Sequence, residues 1–423
     1  MRINEEHAVV KRIIVIGGGA SGMVAAIHAK EEKNQVLILE KNDRIGKKIL
    51  ATGNGKCNLG NLFLEESCYY CEDKERLRNI LEKYGTEDSV AFFEALGLMV
   101  REKNGYLYPY CEQAAAVLDV LRMEIARRGV DIQCGVQIVS CIYQKEKNIF
   151  RLQDLNGNTY TGDRVIVACG GPASLKNGGM DGYRIAKSFG IKMRELVPGL
   201  VQLRTGEKQQ KEIAGVRCQA ALTLCLDGKE VRKERGELQF TEYGISGIPV
   251  FQMSRIAAYG IRDGKRVTVK IDFMPEYTER EVETRIRQVW RLRQHNHYED
   301  FQTGLLHKKL NLFFLHKCGW KPGETLGKVC EHSIQKLLHY YKGYEVPIVG
   351  TNPFFNAQIC AGGIALEELN ESFEAKKQEG LYFTGELIDV DGICGGYNLH
   401  WAFATGTIAG CAAKGREWHA ENS

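Results

Sequence analysis

The sequence predicts an α/β protein in which a dinucleotide-binding domain is interrupted by a β-rich insert and completed by the C-terminal segment. Three observations predict it. A glycine triplet follows a short apolar strand and opens a helix in "KRIIVIGGGASGMVAAIHAKEE". From about residue 198 to about residue 272 short alternating strands replace that pattern. After Tyr344 the strand-turn-helix style returns and runs to the end. The domains are therefore expected at 1–196, 197–344 and 345–423, with a helical piece at about 276–342 inside the insert.

The first element, Ile13 to Ile16, is a β-branched run of the kind found in buried parallel strands. "ASGMVAAIHAKEE" is rich in helix formers, and "QVLILE" is a second buried strand. Strand, glycine turn, helix and strand make a βαβ unit. "ILATGNGKCNLGN" follows and is poor helix and poor strand, so a polar loop is expected. Helices are expected near Lys74–Tyr84, Thr86–Gly97 and Glu112–Arg128, a turn or short hairpin at "NGYLYPY", and strand at "VDIQCGVQIVSCIYQ". "NIFRLQDLNGNTYTGDRVIVACGG" reads as a β-meander around an Asn-Gly turn, ending in a buried strand at Val165–Ala168. Beyond Pro198 come the strands "LVQLRT", "QAALTLCLDG", "ELQFTEYG" and "RVTVKIDF". Helical segments rich in Arg and Lys then extend to about Tyr341. The last stretch, "GLYFTGELIDVDGICGGYNLHWAFATGTIAGCAA", is a strand, a long turn and a closing helix.

A chain of 423 residues is long for one hydrophobic core, which favours two or three domains. Its 44% apolar and 26% charged residues are ordinary for a globular protein. No apolar run is long enough to cross a membrane. The opening "MRINEEHAVVKR" is polar, so a cytoplasmic location is expected. A formal charge of +4 is too slight to point to nucleic acid, and the basic helical residues are spread rather than clustered. Fourteen cysteines are expected as reduced thiols. The one short pair, Cys68 and Cys71, lacks the further ligands of a zinc site, so no metal is expected.

Gly17, Gly19 and Gly22 form G-x-G-x-x-G. Their roles would be a tight turn, close approach of backbone to a pyrophosphate, and close helix–strand packing. The helix that follows offers N–H groups and a partial positive charge to phosphate. Glu40 ends the second strand, 18 residues after Gly22, where a carboxylate can accept from a ribose. That acid serves NAD or FAD alike. The loop after it, with Lys47 and Lys48 for phosphate charge and a glycine–asparagine run for a flat ring, favours flavin. Gly385 and Glu386 follow a late strand, where an acid can hold ribityl hydroxyls. The N–H groups of Asn398 and Leu399 open the closing helix and are expected at the flavin O2–N1 edge. Gly170 and Gly171 end another parallel strand beside the same crevice.

These segments resemble the bacterial BaiN-type flavoproteins, NAD(P)/FAD-dependent oxidoreductases with 3-dehydro-bile acid reductase-like and aminoacetone oxidase-like members. The matching pieces include "IGGGASGMVAA", "LEKNDRIGKKILATGNGKCNLGN", "GELQFTEYGISGIP" and "GLYFTGELIDVDGICGGYNLHWAFATGTIAG", and they span nearly the whole chain. The resemblance implies an FAD-binding, Rossmann-like, two-dinucleotide-binding-domain fold with an inserted β-rich domain. It implies FAD contacts at Ala20, Ser21, Glu40, Lys41, Lys48, Gly53, Asn54, Asn58, Val136, Gly170, Glu386 and Asn398. Cys169 stands where the family pattern has Thr, and Glu242 where it has His, which weakens any transfer of substrate identity.

The expected activity is reduction of an enone-type or similar small hydrophobic substrate, with NAD(P)H as hydride donor and flavin as carrier. Tyr243, in "FTEYGISG", is the proton-donor candidate. The rival readings are a flavin oxidase of a small amine and a non-enzymatic flavin redox sensor or RNA-associated protein. A thiol–disulfide reductase is disfavoured, because Cys57 has no second cysteine a few residues on. The expected partner is a small-molecule substrate, with neither nucleic acid nor membrane.

Overall fold

The computed structural model describes residues 11–174, 179–206, 208–301, 303–321 and 323–418, with the side chains of 53, 54 and 208–210 excepted. The chain divides into two compact units, Met1–Leu196 with Ile359–Ser423, and Val197–Gln358. The insert thus ends later than the sequence implied. Tyr344–Thr351, expected to restart the first domain, is a strand paired with Leu203–Thr205 and Val267–Asp272 of the second unit.

In the first unit five parallel strands form one sheet, ordered Leu381–Phe383, Arg164–Val167, Arg12–Ile16, Gln35–Glu40, Asp131–Cys134. Arg12–Ile16 lies in the middle, with its chain successor on one side and a much later strand on the other. The crevice beyond its C-terminal end is therefore a topological switch point, where open α/β sheets bind ligands. Ile13, Ile14 and Val15 are fully buried, as a strand covered on both faces requires. The expected single strand from Val130 onward is broken at Gly135 (φ +75°). Asp131–Cys134 joins the parallel sheet, and Ile138–Gln144 pairs with Ile149–Asp154. The meander also stops early. Ile149–Asp154 and Thr159–Gly162 form its hairpin, but Arg164–Val167 enters the parallel sheet.

The closing helix Tyr397–Ala413 lies along the first helix Ala20–Ala29, and glycine makes this possible. A Cβ on Gly406 would stand 2.5 Å from the Ser21 carbonyl oxygen, and one on Gly410 would stand 2.5 Å from that of Ala25. Gly410→Val is therefore expected to force the helices apart and cost about 1–3 kcal/mol, read as a lowered denaturation midpoint. A midpoint equal to the parent's would contradict this packing.

Each of these helices also carries one buried histidine. His28 packs against the Phe92 and Trp418 rings, and His400 against Tyr84. Burial pushes His28 down to about 3 and His400 down to about 4. Each histidine stays neutral when folded but takes a proton near pH 6.5 when unfolded. Stability is thus complete above that pH and falls as pH drops toward 4, by about 1.4 kcal/mol per unit for each histidine. His28→Leu should show a shallower loss between pH 7 and 5 in urea titrations. Superimposable profiles would rule His28 out as a contributor.

The second unit is a closed six-stranded barrel. Around it run Leu203–Thr205, Gly244–Ser246, Lys229–Phe240, Arg217–Leu226, Val267–Asp272 and Tyr344–Thr351. Alternate residues such as Leu222, Leu224, Val269 and Ile271 fill its interior. Three helices occupy the predicted helical piece: Glu279–Arg293, Lys308–Cys318 and Glu331–Gly343. The first is capped by Thr278 and Glu281 in reciprocal hydrogen bonds, and it buries Trp290 against Phe301 and Trp320. Helix Ile248–Arg262 was not expected. Its opening "IPVFQM" is an apolar run that cannot be told from a buried strand by periodicity. Gly247 fixes its start, with φ +113° and its α-carbon so close to Glu237 that a Cβ would stand 2.2 Å from the carbonyl oxygen.

Candidate functional site

The glycine turn carries the geometry that the motif requires. Gly17 has φ +103° and donates to the Leu39 carbonyl at 2.8 Å, and a Cβ there would sit 2.5 Å from the Ala168 oxygen. A Cβ on Gly22 would sit 2.0 Å from the Gly17 oxygen, so the helix presses on the turn. Gly19 differs. Its φ of −80° suits any residue, and a Cβ built there meets no atom within 4 Å. No protein neighbour accounts for the missing side chain, but a group lying against the backbone from outside does. The helix starts here with no side-chain cap and no acid in its first turn. The N–H groups of Ala20 and Ser21 are thus left to such a group. The Ser21 hydroxyl turns inward instead, accepting from Thr384 at 3.2 Å.

Glu40 is buried at this turn. Its carboxylate accepts from Gly18 N–H at 2.7 Å and Asn42 N–H at 2.8 Å, and its carbonyl accepts from Val136 N–H at 2.9 Å. These bonds hold the carboxylate at the end of its strand. Lys41 is paired with Asp181 at 3.8 Å, and Asp181 also accepts from Gln137 at 3.1 Å.

Glu386 brings together segments that are distant in the chain. The Lys48 ammonium lies 2.8 and 3.0 Å from its two oxygens. The same oxygens accept from Gly171 N–H at 2.8 Å and Cys360 N–H at 2.9 Å. The Tyr183 hydroxyl donates to the Glu386 carbonyl at 3.2 Å. A carboxylate offers about four acceptor positions. Lys48, Gly171 and Cys360 use them, so Glu386 is a brace between three strand ends. Gly170 lies beside it with φ +63°.

The glycine–asparagine stretch is more ordered than a loop. Ile49–Gly55 is a 3-10 turn that includes Gly53 and Asn54, and Gly60–Asn61 is a short strand. The side chain of Asn54 lies outside the described residues. Asn58 takes the Gly60 N–H at 3.3 Å. A Cβ on Gly396, at the head of the closing helix, would come within 2.5 Å of the Asn58 amide oxygen. Asn61 donates to the Gly395 carbonyl at 3.2 Å. The two distant stretches therefore meet. The closing helix begins without a side-chain cap, leaving the N–H groups of Asn398 and Leu399 open to a ligand. The Asn398 amide side chain is committed elsewhere, bonding Gly392 N–H at 2.9 Å and Gly392 O at 2.8 Å.

Cys57 is buried, and burial pushes its thiol up to about 11. At neutral pH it is a packed thiol, not a thiolate. Cys68 and Cys71 are free and half-buried. Among the described residues no group of three or more His, Cys, Asp or Glu could hold a metal, and no helix is long and apolar enough to cross a membrane. Tyr243 belongs to the second unit, is 39% exposed, and accepts the Thr205 N–H through its backbone oxygen. The sequence reading missed Gly18, Asn42, Cys360 and Tyr183. Of these only Gly18 carried a signal, as the middle residue of the Gly-Gly-Gly run.

Comparison with known proteins places the chain in a family. Residues 11–412 match the family model described as HI0933-like protein Rossmann domain. The chain is 42% identical to a 3-dehydro-bile acid delta(4,6)-reductase of Clostridium scindens, over 96% of this chain and 100% of the relative. It is 29% identical to a ribosomal RNA dihydrouridine synthase of Escherichia coli, over 93% and 95% of the two chains. Among solved structures, a 3-ketosteroid delta1-dehydrogenase from Sterolibacterium denitrificans aligns over 96% of this chain and all of its own, at 13% identity and a TM-score of 0.49. The fold is α/β of the Rossmann class with an inserted β-rich domain.

Proposed function

The chain belongs to the HI0933-like Rossmann-domain family and is an oxidoreductase, and on that premise we propose that it binds FAD and uses NAD(P)H to reduce the conjugated double bond of an enone of the 3-dehydro-bile acid kind. The observation that carries the substrate class is the 42% identity, over the full length, to a reductase of that name. FAD supplies the hydride-carrying chemistry that side chains lack. The residues around the crevice fit it. The open face of Gly19 and the uncapped first helix accommodate a pyrophosphate, and Glu40 stands where an adenosine ribose would donate to it. Lys48 brings positive charge. The stretch from Gly53 to Asn61, with the N–H groups of Asn398 and Leu399, makes a backbone-rich bed for the ring. The positive end of the closing helix favours negative charge at that edge.

A second reading follows from the dihydrouridine synthase relatives, at 29% and 28% identity. Their product implies reduction of a uracil double bond that is also conjugated to a carbonyl, so the chemistry is shared and only the substrate differs. RNA is disfavoured here because 57 basic residues face 53 acidic ones. A phosphate-backbone partner normally calls for a concentrated basic surface.

The test is anaerobic reduction of the purified protein by NADH or NADPH, followed by reoxidation with a steroid enone, with uridine-containing RNA or with oxygen. Reoxidation by the enone faster than by oxygen is the expected result. Reduction by a small amine with fast reoxidation in air would instead establish the oxidase. Failure of both nicotinamides to reduce a bound flavin would remove the proposed donor.

A further inference from the structure

Beside the Asn58–Gly396 contact stands a three-stranded sheet formed by Gly60–Asn61, Tyr106–Pro109 and Val100–Lys103. Asn61 is directly opposite Tyr106, and Tyr108 is two residues on. All three side chains therefore leave the same face. That face looks toward the head of the closing helix. Asn61 bonds the Gly395 carbonyl, and a Cβ on Gly395 would lie 3.2 Å from the Tyr106 ring. The Tyr106 and Tyr108 rings are neighbours, with centroids 6.5 Å apart and planes at 43°. Tyr106 is 36% exposed and Tyr108 half-buried. Among the described residues neither hydroxyl has a hydrogen-bond partner.

The surroundings are apolar. The Phe63 ring lies over Gly105, at 3.2 Å from where a Cβ would be, and Leu62 N–H donates to the Gly105 carbonyl. Phe63 and Leu62 are 69% and 57% exposed. Large apolar side chains grouped on a surface mark a binding site more often than an ordinary exterior does. Burial and the adjacent Tyr106 push the Tyr108 phenol up, with the Lys56 ammonium opposing. The Tyr108 phenol is thus an O–H donor at neutral pH.

We infer that Tyr106 and Tyr108 are the carbonyl-binding pair of this site: their two hydroxyls donate to the carbonyl oxygen of a flat, apolar enone whose body rests on Phe63 and Leu62. This rests on the proposed reduction of a conjugated carbonyl and supplies its missing recognition element. Two donors on one carbonyl oxygen fix the plane of the ligand and withdraw electrons from the conjugated double bond. A carbonyl group without apolar bulk, or an apolar body without the carbonyl, would lose one half of the recognition.

The test uses the flavin-loaded protein in its oxidised state and 4-androstene-3,17-dione as probe, so that binding is read without turnover. A hydrogen-bonded enone shifts its near-ultraviolet absorption to longer wavelength, which reports on the carbonyl oxygen itself. The parent protein should bind the probe and produce that shift. Tyr106→Phe and Tyr108→Phe should each weaken binding about three- to tenfold. The double variant should abolish the shift. In all three the flavin content should stay unchanged, and Tyr277→Phe, which removes an exposed phenol of the second unit, should bind like the parent. A double variant that binds equally well with the same shift overturns the assignment and leaves the reductase reading standing. A flavin-loaded parent that binds no enone, and whose reduced flavin no enone reoxidises, overturns both.

Discussion

Gly19→Val is expected to yield a folded, soluble and colourless protein. The prediction separates two roles that glycine can play. At Gly17 and Gly22 a side chain would collide with backbone, so substitution there tests folding. At Gly19 a new Cβ meets no protein atom within 4 Å beyond its chain neighbours, and the φ of −80° is acceptable to valine. The cost to the apoprotein should therefore stay within about 1 kcal/mol, the scale of a changed helix-start residue. The isopropyl group would instead fill the room where a pyrophosphate approaches the backbone. Flavin content after purification should fall at least about tenfold, for a displacement of 1.4 kcal/mol or more. Urea unfolding of the apoprotein and visible absorbance of the purified protein measure the two effects separately. A variant that keeps one flavin per chain would show that the cradle lies elsewhere.

The second large effect is expected at Glu386. Its side chain is 18% exposed and that of Lys48 is 31% exposed, so the pair is partly shielded from water. Glu386→Ala leaves the Lys48 ammonium without its partner and the N–H groups of Gly171 and Cys360 without an acceptor. Unpaired polar groups of this kind cost more than the bonds themselves contribute. A loss of about 2–4 kcal/mol is expected even without flavin, because the brace joins strand ends of the protein itself. Glu386→Gln retains a carbonyl acceptor and should lose distinctly less. The double variant Lys48→Ala/Glu386→Ala should lose less than the sum of the singles, since each removes the other's unpaired charge. Additive losses would show that the two side chains do not act as one unit.

The contrast between these two sites also explains how much could be read from the chain. The cradle is local. A buried strand, three glycines and a helix lie within one short segment, and each residue's task follows from its neighbours in sequence. The brace is not local. Lys48, Gly171, Cys360 and Glu386 meet only after folding has brought three strand ends and the turn at Lys48 together, so no spacing announces them. Glu386 could be singled out as an acid after a strand, but its ties to Gly171 and Cys360 could not. The same limit explains the helix Ile248–Arg262, whose apolar opening resembles a strand. It also explains the strand Tyr344–Thr351, whose allegiance to the barrel depends on partners at Leu203–Thr205 and Val267–Asp272. Tyr106 and Tyr108 lay in a segment legible as a short hairpin. What the letters did not tell was that the hairpin would stand against Gly395.

The seam between the first and closing helices has a consequence for how the molecule comes into being. One of its two halves is made early and the other about 370 residues later, with residues 197–358 produced in between. At the ribosome's pace of 5–20 residues per second, the early half waits roughly twenty to seventy-five seconds for its mate. During that wait the barrel can form, and the first helix can dock on Arg12–Ile16, Gln35–Glu40 and Ala114–Arg128, but its face toward the closing helix stays bare. The crevice is thus completed only once the later segment emerges, and until then the uncovered face of the early helix is the part of this polypeptide most in need of protection from its neighbours.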